Sequence, residues 1–158
     1  PDLSIGKATF LISIFILIFW VPLKQIPGIG TILNAIIIAS AIDLTLGFIP
    51  KPELIYLKIL QASFGILIVG IGSGIYLASN LGPGPRDGLM IGLQQKTNTS
   101  IPFIRTIIEI TAVTVGWFLG GIVGIGTILF VFGIGPCVGV GLTLVEKVSK
   151  KRINKLEK

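Results

Sequence analysis

Five long apolar runs, separated by short stretches rich in glycine, proline and charge, make up nearly all of this chain. The first extends from Gly6 to Leu23 and closes on Trp20 and Pro22, at the level expected of a membrane–water boundary. After the polar turn Lys24-Gln25-Ile26-Pro27, the second opens Gly-Ile-Gly-Thr at Gly28 and continues to Ile49, with Asn34, Ser40 and Asp43 inside it. Pro50-Lys51-Pro52-Glu53 forms the next break. The third run, Leu54 to Ser79, carries Gln61 and glycines at 70, 72 and 74. Its Gly70/Gly74 spacing is a GxxxG face, which admits another helix at close range. The fourth runs from Ile101 to Leu119 and contains Arg105 and Glu109; the fifth, Gly124 to Val145, again opens Gly-Ile-Gly-Thr. Runs near the roughly 20 residues needed to cross a bilayer read as membrane spans. The pattern therefore predicts an all-α membrane protein with five transmembrane helices, followed by a polar helical tail.

Between the third and fourth runs lies LGPGPRDGLM, Leu81 to Met90. Its clustered glycines and prolines cannot continue a helix. From Arg86 to Lys96 the spacing is helical again, but about eleven residues are too few to span a bilayer. A short helix behind such a loop predicts a re-entrant or half-helix element. Broken backbone is tolerated at membrane depth only where protein or a water-filled cavity covers it. A cytoplasmic loop ending in a surface helix is the alternative.

Composition narrows the function. Of 158 residues, 52% are hydrophobic and 13% charged, with a mean hydropathy of +0.95; a soluble domain is about 25% charged. There is no histidine and one cysteine, Cys137, within an apolar run. Disulfide frameworks, zinc clusters, Ser-His-Asp triads and Cys-His pairs are thereby excluded, and no enzymatic role or cofactor is expected. The net charge is +6, but six of the thirteen basic residues lie between Lys147 and Lys158, so it does not point to nucleic acid. That tail is expected on anionic headgroups or in water.

An internal repeat links the two Gly-Ile-Gly-Thr turns. A shift of 96 residues places Ser4-Ile5 on Ser100-Ile101, Leu23 on Leu119, and Gly28 through Leu33 on Gly124 through Leu129, without gaps. The counterpart of Leu54 to Lys96 would precede Pro1, so about 45 residues, including one span and one loop-helix, are expected to be missing. The chain divides on this basis into a first-repeat remnant (1–50), a second repeat (51–146) and a cytoplasmic tail (147–158). A complete half would hold three spans and one short helix, and an odd number of spans turns the second half upside down: an inverted-topology repeat. With the tail cytoplasmic, Lys24, Arg86, Lys96, Arg105 and the six tail residues fall inside, against Lys7, Lys51 and Lys58 outside. That distribution follows the positive-inside rule.

The run Gly74-Ile75-Tyr76-Leu77-Ala78, the LGPGPRDGLM loop, the paired Gly-Ile-Gly-Thr turns and Gly135-Pro136 together resemble the YczE type of bacterial integral membrane protein, with which YyaS and YitT are grouped. The residues carrying the resemblance are Gly82, Gly84, Pro85, Asp87, Gly124, Gly126, Thr127 and Pro136. The resemblance implies a polytopic membrane topology, an N-terminal half opening with a similar loop, and a transporter-like role without a defined substrate.

Glu109 is the sharpest functional candidate. It lies eight residues into its run, about 12 Å deep at 1.5 Å per residue. A charge there costs roughly 2.5–3.5 kcal/mol on insertion scales, so it should face the protein interior or be protonated. Arg105, one turn earlier, has the spacing of a helix ion pair, and mutual neutralisation is its plainest role. Arg86 could hold an anion with the free N–H groups of the following turn, or simply snorkel; Asp87 could cap the same groups. Gly82 and Gly84 shape the loop. Asp43 reads as a residue reaching the headgroups, and Gln61, Asn34 and Thr127 as interhelical hydrogen-bonding groups. Gly116, Gly120 and Gly124 read as a packing face, and Cys137 as an inert core residue.

These observations predict a small secondary transporter, with a substrate site formed by Arg86, Asp87, Arg105, Glu109, Gly82 and Gly84 near the bilayer midplane. The expected partners are membrane lipids, a small or anionic solute and a second copy of the chain; no metal is expected. A non-transporting scaffold, its glycine faces serving partner helices, is the rival. A membrane-embedded enzyme is weaker still.

Overall fold

The computed structural model describes residues 4–78 and 81–156. Among them are seven helices and no strand: α1 (Ile5–Ile18), α2 (Trp20–Leu23), α3 (Ile29–Thr45), α4 (Ile55–Leu77), α5 (Pro85–Thr97), α6 (Ile101–Phe118) and α7 (Ile125–Leu156). α4, α6 and the Ile125–Lys150 part of α7 are long and apolar enough to cross a membrane, while α1 and α3 are shorter apolar helices. Large apolar side chains lie exposed along α1, α3, α4 and α6. A water-soluble fold does not leave so much contiguous apolar surface uncovered. The all-helical membrane architecture stands, with three long spans where five runs were expected to read alike.

Local chemistry explains the helix ends. Ser4 caps α1, its Oγ accepting from the Lys7 N–H at 3.2 Å. The first apolar run is not one helix but two, α1 and α2, parted at Phe19. Pro22 supplies the reason, since it has no N–H for the carbonyl of Ile18, four residues back. α5 starts from an extended Gly84 with Pro85 at its first position and ends on Asn98 in the left-handed region, the arrangement proline and asparagine favour. α7 carries the fifth run and most of the basic tail as one helix, with Pro136 inside it.

The chain forms two compact units, Pro1–Lys51 with Asn80–Asn98, and Pro52–Ser79 with Thr99–Lys158. In the first, α1 packs on α3, and α5 packs on α1, α2 and α3. α1 and α3 meet at Gly6, where a β-carbon would run into the Ala39 carbonyl and the Asp43 carboxylate. Asp43 does not merely reach toward headgroups: it accepts from Ser4 Oγ at 2.7 Å and from the Gly6 N–H at 2.8 Å, tying α3 to the start of α1.

In the second unit α4 lies along α7. The Gly70/Gly74 face is where they touch: Gly70 sits against Cys137, and a β-carbon on Gly74 would lie 2.6 Å from the Leu142 nitrogen. Cys137 thus acts as a small apolar contact residue. Ile66, Ile134 and Val138 form the buried centre. α6 meets α7 at Pro102, against Gly135 and Gly139. Among the described residues the expected glycine face at 116, 120 and 124 meets no partner helix, since nothing lies within 4 Å of a β-carbon built on any of the three. Their four-residue spacing makes a face only on a continuous helix, and α6 ends at Phe118 with Gly120 in a left-handed turn.

Candidate functional site

The Gly–Pro loop is held by the turn that opens α3. Gly30 donates its N–H to the Leu81 carbonyl at 3.0 Å. Thr31, fully buried, donates its hydroxyl to the Pro83 carbonyl at 2.6 Å and accepts from the Gly28 N–H at 3.1 Å. Gly30 leaves no room for a side chain, because a β-carbon there would stand 2.5 Å from the Leu81 oxygen, and one on Gly28 would be tight against the same oxygen at 3.1 Å. Gly82 takes φ +104°, a conformation side chains rarely adopt. Gly84 lies between Asn34 and Asp87; a β-carbon there would be 2.5 Å from Asn34 Oδ1 and 3.1 Å from Asp87 Oδ2. Hydrogen bonds from Gly30 and Thr31 and close packing at Gly28, Gly30 and Gly84 therefore set the Gly–Pro loop.

Behind the loop, α5 docks on Trp20. The indole Nε1 donates to the Pro85 carbonyl at 2.8 Å, and the ring lies directly on Gly88, leaving no room for a β-carbon. Trp20 is therefore a buried anchor rather than a membrane-boundary residue, being only 2% exposed. At the far end of α5, Lys96 Nζ donates to the Pro22 carbonyl and Gln25 Nε2 to Gln95 Oε1, both at 2.8 Å. Asp87 lies in the first turn of α5 and is buried; Arg86 beside it is half-buried. An acidic residue there is favoured by the partial positive charge of the helix start.

In the second unit, α6 buries Ile104, Arg105 and Glu109. Arg105 Nε and Glu109 Oε1 form an ion pair at 3.1 Å, with side chains 6% and 4% exposed. The expected i,i+4 pairing is present, and the pair is removed from solvent. Of the six candidates, Gly82, Gly84, Arg86 and Asp87 belong to the first unit, and Arg105 and Glu109 to the second. Among the described residues no group of histidine, cysteine, aspartate or glutamate could hold a metal ion. Hollows open elsewhere among the described residues. One of about 460 Å³ between α1 and α3 is lined by Lys7, Phe10, Ile36, Ser40 and Asp43 among others. Another, of about 150 Å³, lies between α6 and the start of α7.

The sequence did not mark Thr31 and Gly88 as contacts of the loop and its helix, and it read Trp20 as a membrane-boundary residue. For Thr31 the signal was present: it stands at the same place in both Gly-Ile-Gly-Thr turns. Its partner, Pro83, lies 52 residues away, and nothing local in either segment announces the pairing.

Residues 1–142 match the profile of a family of unknown function, DUF6198. A Haemophilus influenzae uncharacterised protein is 39% identical over 147 residues, covering 93% of this chain and 67% of that protein. The Bacillus subtilis uncharacterised membrane protein YczE is 36% identical over 103 residues, 65% of this chain and 48% of its own length. Bacillus subtilis YyaS is 30% identical, covering 95% of this chain and 78% of its own length. The chain thus spans between about half and four-fifths of these relatives. No solved structure matches it at a significant level. With its long apolar helices, its lipid-like surface and these relatives, the chain is a membrane protein that belongs to the DUF6198 family, of YczE type.

Proposed function

We propose that this protein is a small bacterial inner-membrane secondary transporter of a small solute, built as an inverted repeat with six spans in full and five within these residues. The observation that carries the reading is the Arg105–Glu109 pair, 3.1 Å apart and nearly solvent-free inside an apolar helix long enough to span. Ionisable residues inside membrane helices are costly and mark solute or proton pathways. A carboxylate whose partner lies one turn away can exchange that partner for a proton or a solute cation, which suits coupled transport. The loop-helix α5 adds a broken segment packed within protein, the kind of element transporter sites use; Arg86 and Asp87 at its start are the proposed solute-contacting groups there, with Gly82 and Gly84 allowing close approach.

Several features support the repeat. α1 and α6 begin at Ile5 and Ile101, and α3 and α7 at Ile29 and Ile125, each pair 96 residues apart, with Ser4 and Ser100 as caps. The same register relates the close contacts, Gly6 with Ala39 and Asp43 in one unit, Pro102 with Gly135 and Gly139 in the other.

Uptake by proteoliposomes containing the full-length protein, screened over a panel of small solutes with and without an imposed proton gradient, tests the proposal. Gradient-dependent uptake of at least one solute, abolished by Glu109→Gln while insertion is unchanged, is the expected result. No uptake of any solute by correctly inserted protein would turn the assignment to a scaffold.

A further inference from the structure

The turn that cradles the Gly–Pro loop exists twice. In the first unit Gly28, Gly30 and Thr31 hold Leu81 to Pro83 by two hydrogen bonds and by the absence of β-carbons. Gly124, Gly126 and Thr127 stand 96 residues later, at the start of an equivalent helix. Around Gly124 nothing lies within 4 Å of a built β-carbon, and around Gly126 only the Ala62 methyl, at 4.0 Å. Trp20, which α5 covers, has Gly116 as its counterpart, again with open space beside it. Thr31 is fully buried in the first unit, whereas its counterpart Thr127 is half-buried and lines the 150 Å³ hollow.

Three glycines with nothing against them would not by themselves define a site. Here the occupant of the matching cradle is visible, and it is specific: an extended Gly–Pro segment whose carbonyls meet a glycine N–H and a threonine hydroxyl. The longer relatives also have polypeptide to supply another, since about a third of the Haemophilus influenzae protein lies outside the match. We infer that the Gly124–Thr127 turn is a second cradle, filled by a Gly–Pro loop and short helix from polypeptide outside residues 1–158. That loop would place a carbonyl on Thr127 Oγ1 and another on the Gly126 N–H, and its helix would cover Gly116 and the hollow between α6 and α7. The inference is independent of transport, because a scaffold could be built in the same way.

Two measurements on the natural full-length protein test it. A photo-reactive benzophenone residue is placed at 127 and irradiated in native membranes, and the adducts are mapped by mass spectrometry. The expected adduct is on a Gly–Pro-containing segment outside residues 1–158. Adducts confined to lipid, or to residues 81–90 of a second copy, overturn the proposal. In parallel, Gly126→Ala is compared with Gly30→Ala by thermal unfolding in detergent. A filled cradle makes both substitutions lower the midpoint, because each puts a methyl group on a loop carbonyl. An open cradle leaves Gly126→Ala neutral or raises the midpoint, alanine being the better helix former, and that outcome also overturns the proposal.

Discussion

Gly88 shows how much one missing methyl group decides. Trp20 lies directly on its α-carbon and reaches past it to the Pro85 carbonyl. Gly88→Ala forces the indole away, and overpacking of this kind costs about 1–3 kcal/mol. The expected outcome is a lower unfolding midpoint in detergent together with a red-shifted tryptophan emission as Trp20 becomes exposed; unchanged emission would mean that the ring is not seated there. Arg105 and Glu109 make the complementary case, where charge rather than volume decides. Glu109→Leu removes the carboxylate that pairs with the buried Arg105 guanidinium, and breaking a buried pair in this way costs roughly 3–5 kcal/mol. Glu109→Gln retains an acceptor oxygen and should cost markedly less. Comparing the two midpoints separates the pair's structural role from any part in transport.

At the scale of elements, the break between α1 and α2 follows from a single proline. The counterpart of Pro22 is Phe118, and α6 runs unbroken to that residue. Pro22→Leu restores an N–H for the Ile18 carbonyl and should join α1 to α2. Amide hydrogen exchange of residues 19–22 is expected to slow, while the Trp20–Pro85 bond loosens because the break is what turns the indole toward α5. Exchange as fast as in the unaltered chain would show that Phe19 parts the helices for another reason. α4 and α7, in contrast, need no break. Gly70, Gly74 and Gly141 bring the two backbones together along a single seam, the small-residue packing that membrane helices use in place of a hydrophobic driving force.

For the whole molecule, the distribution of positive charge makes an orientation testable. The Lys51–Glu53 loop is predicted to face outward and the tail inward, by the positive-inside rule. With single cysteines at Lys51 and Lys150 in a Cys137→Ala background, a membrane-impermeant maleimide applied to intact cells should label position 51, and position 150 only after permeabilisation. Labelling of 150 but not 51 would reverse the topology.

The sequence by itself determined the membrane character and the all-helical class, though not that the first run is two helices or that the fifth run and the tail are one. Hydropathy, the capping serines and glycines, and the prolines at 22, 85 and 102 act over a few residues and need no knowledge of the fold. It also determined the Arg105–Glu109 pair, because an i,i+4 spacing on one helix is local geometry. Only the tertiary structure decided that α5 joins α1, α2 and α3 in one unit, although α4 and α6 flank it in the chain. The carbonyls of Leu81 and Pro83 are satisfied by Gly30 and Thr31, some fifty residues earlier, and buried backbone groups must find such donors wherever the fold presents them. Which glycines pack and which stay open was likewise a tertiary outcome. Gly70 and Gly116 read alike in sequence, and among the described residues they differ because a second helix approaches Gly70 and none approaches Gly116.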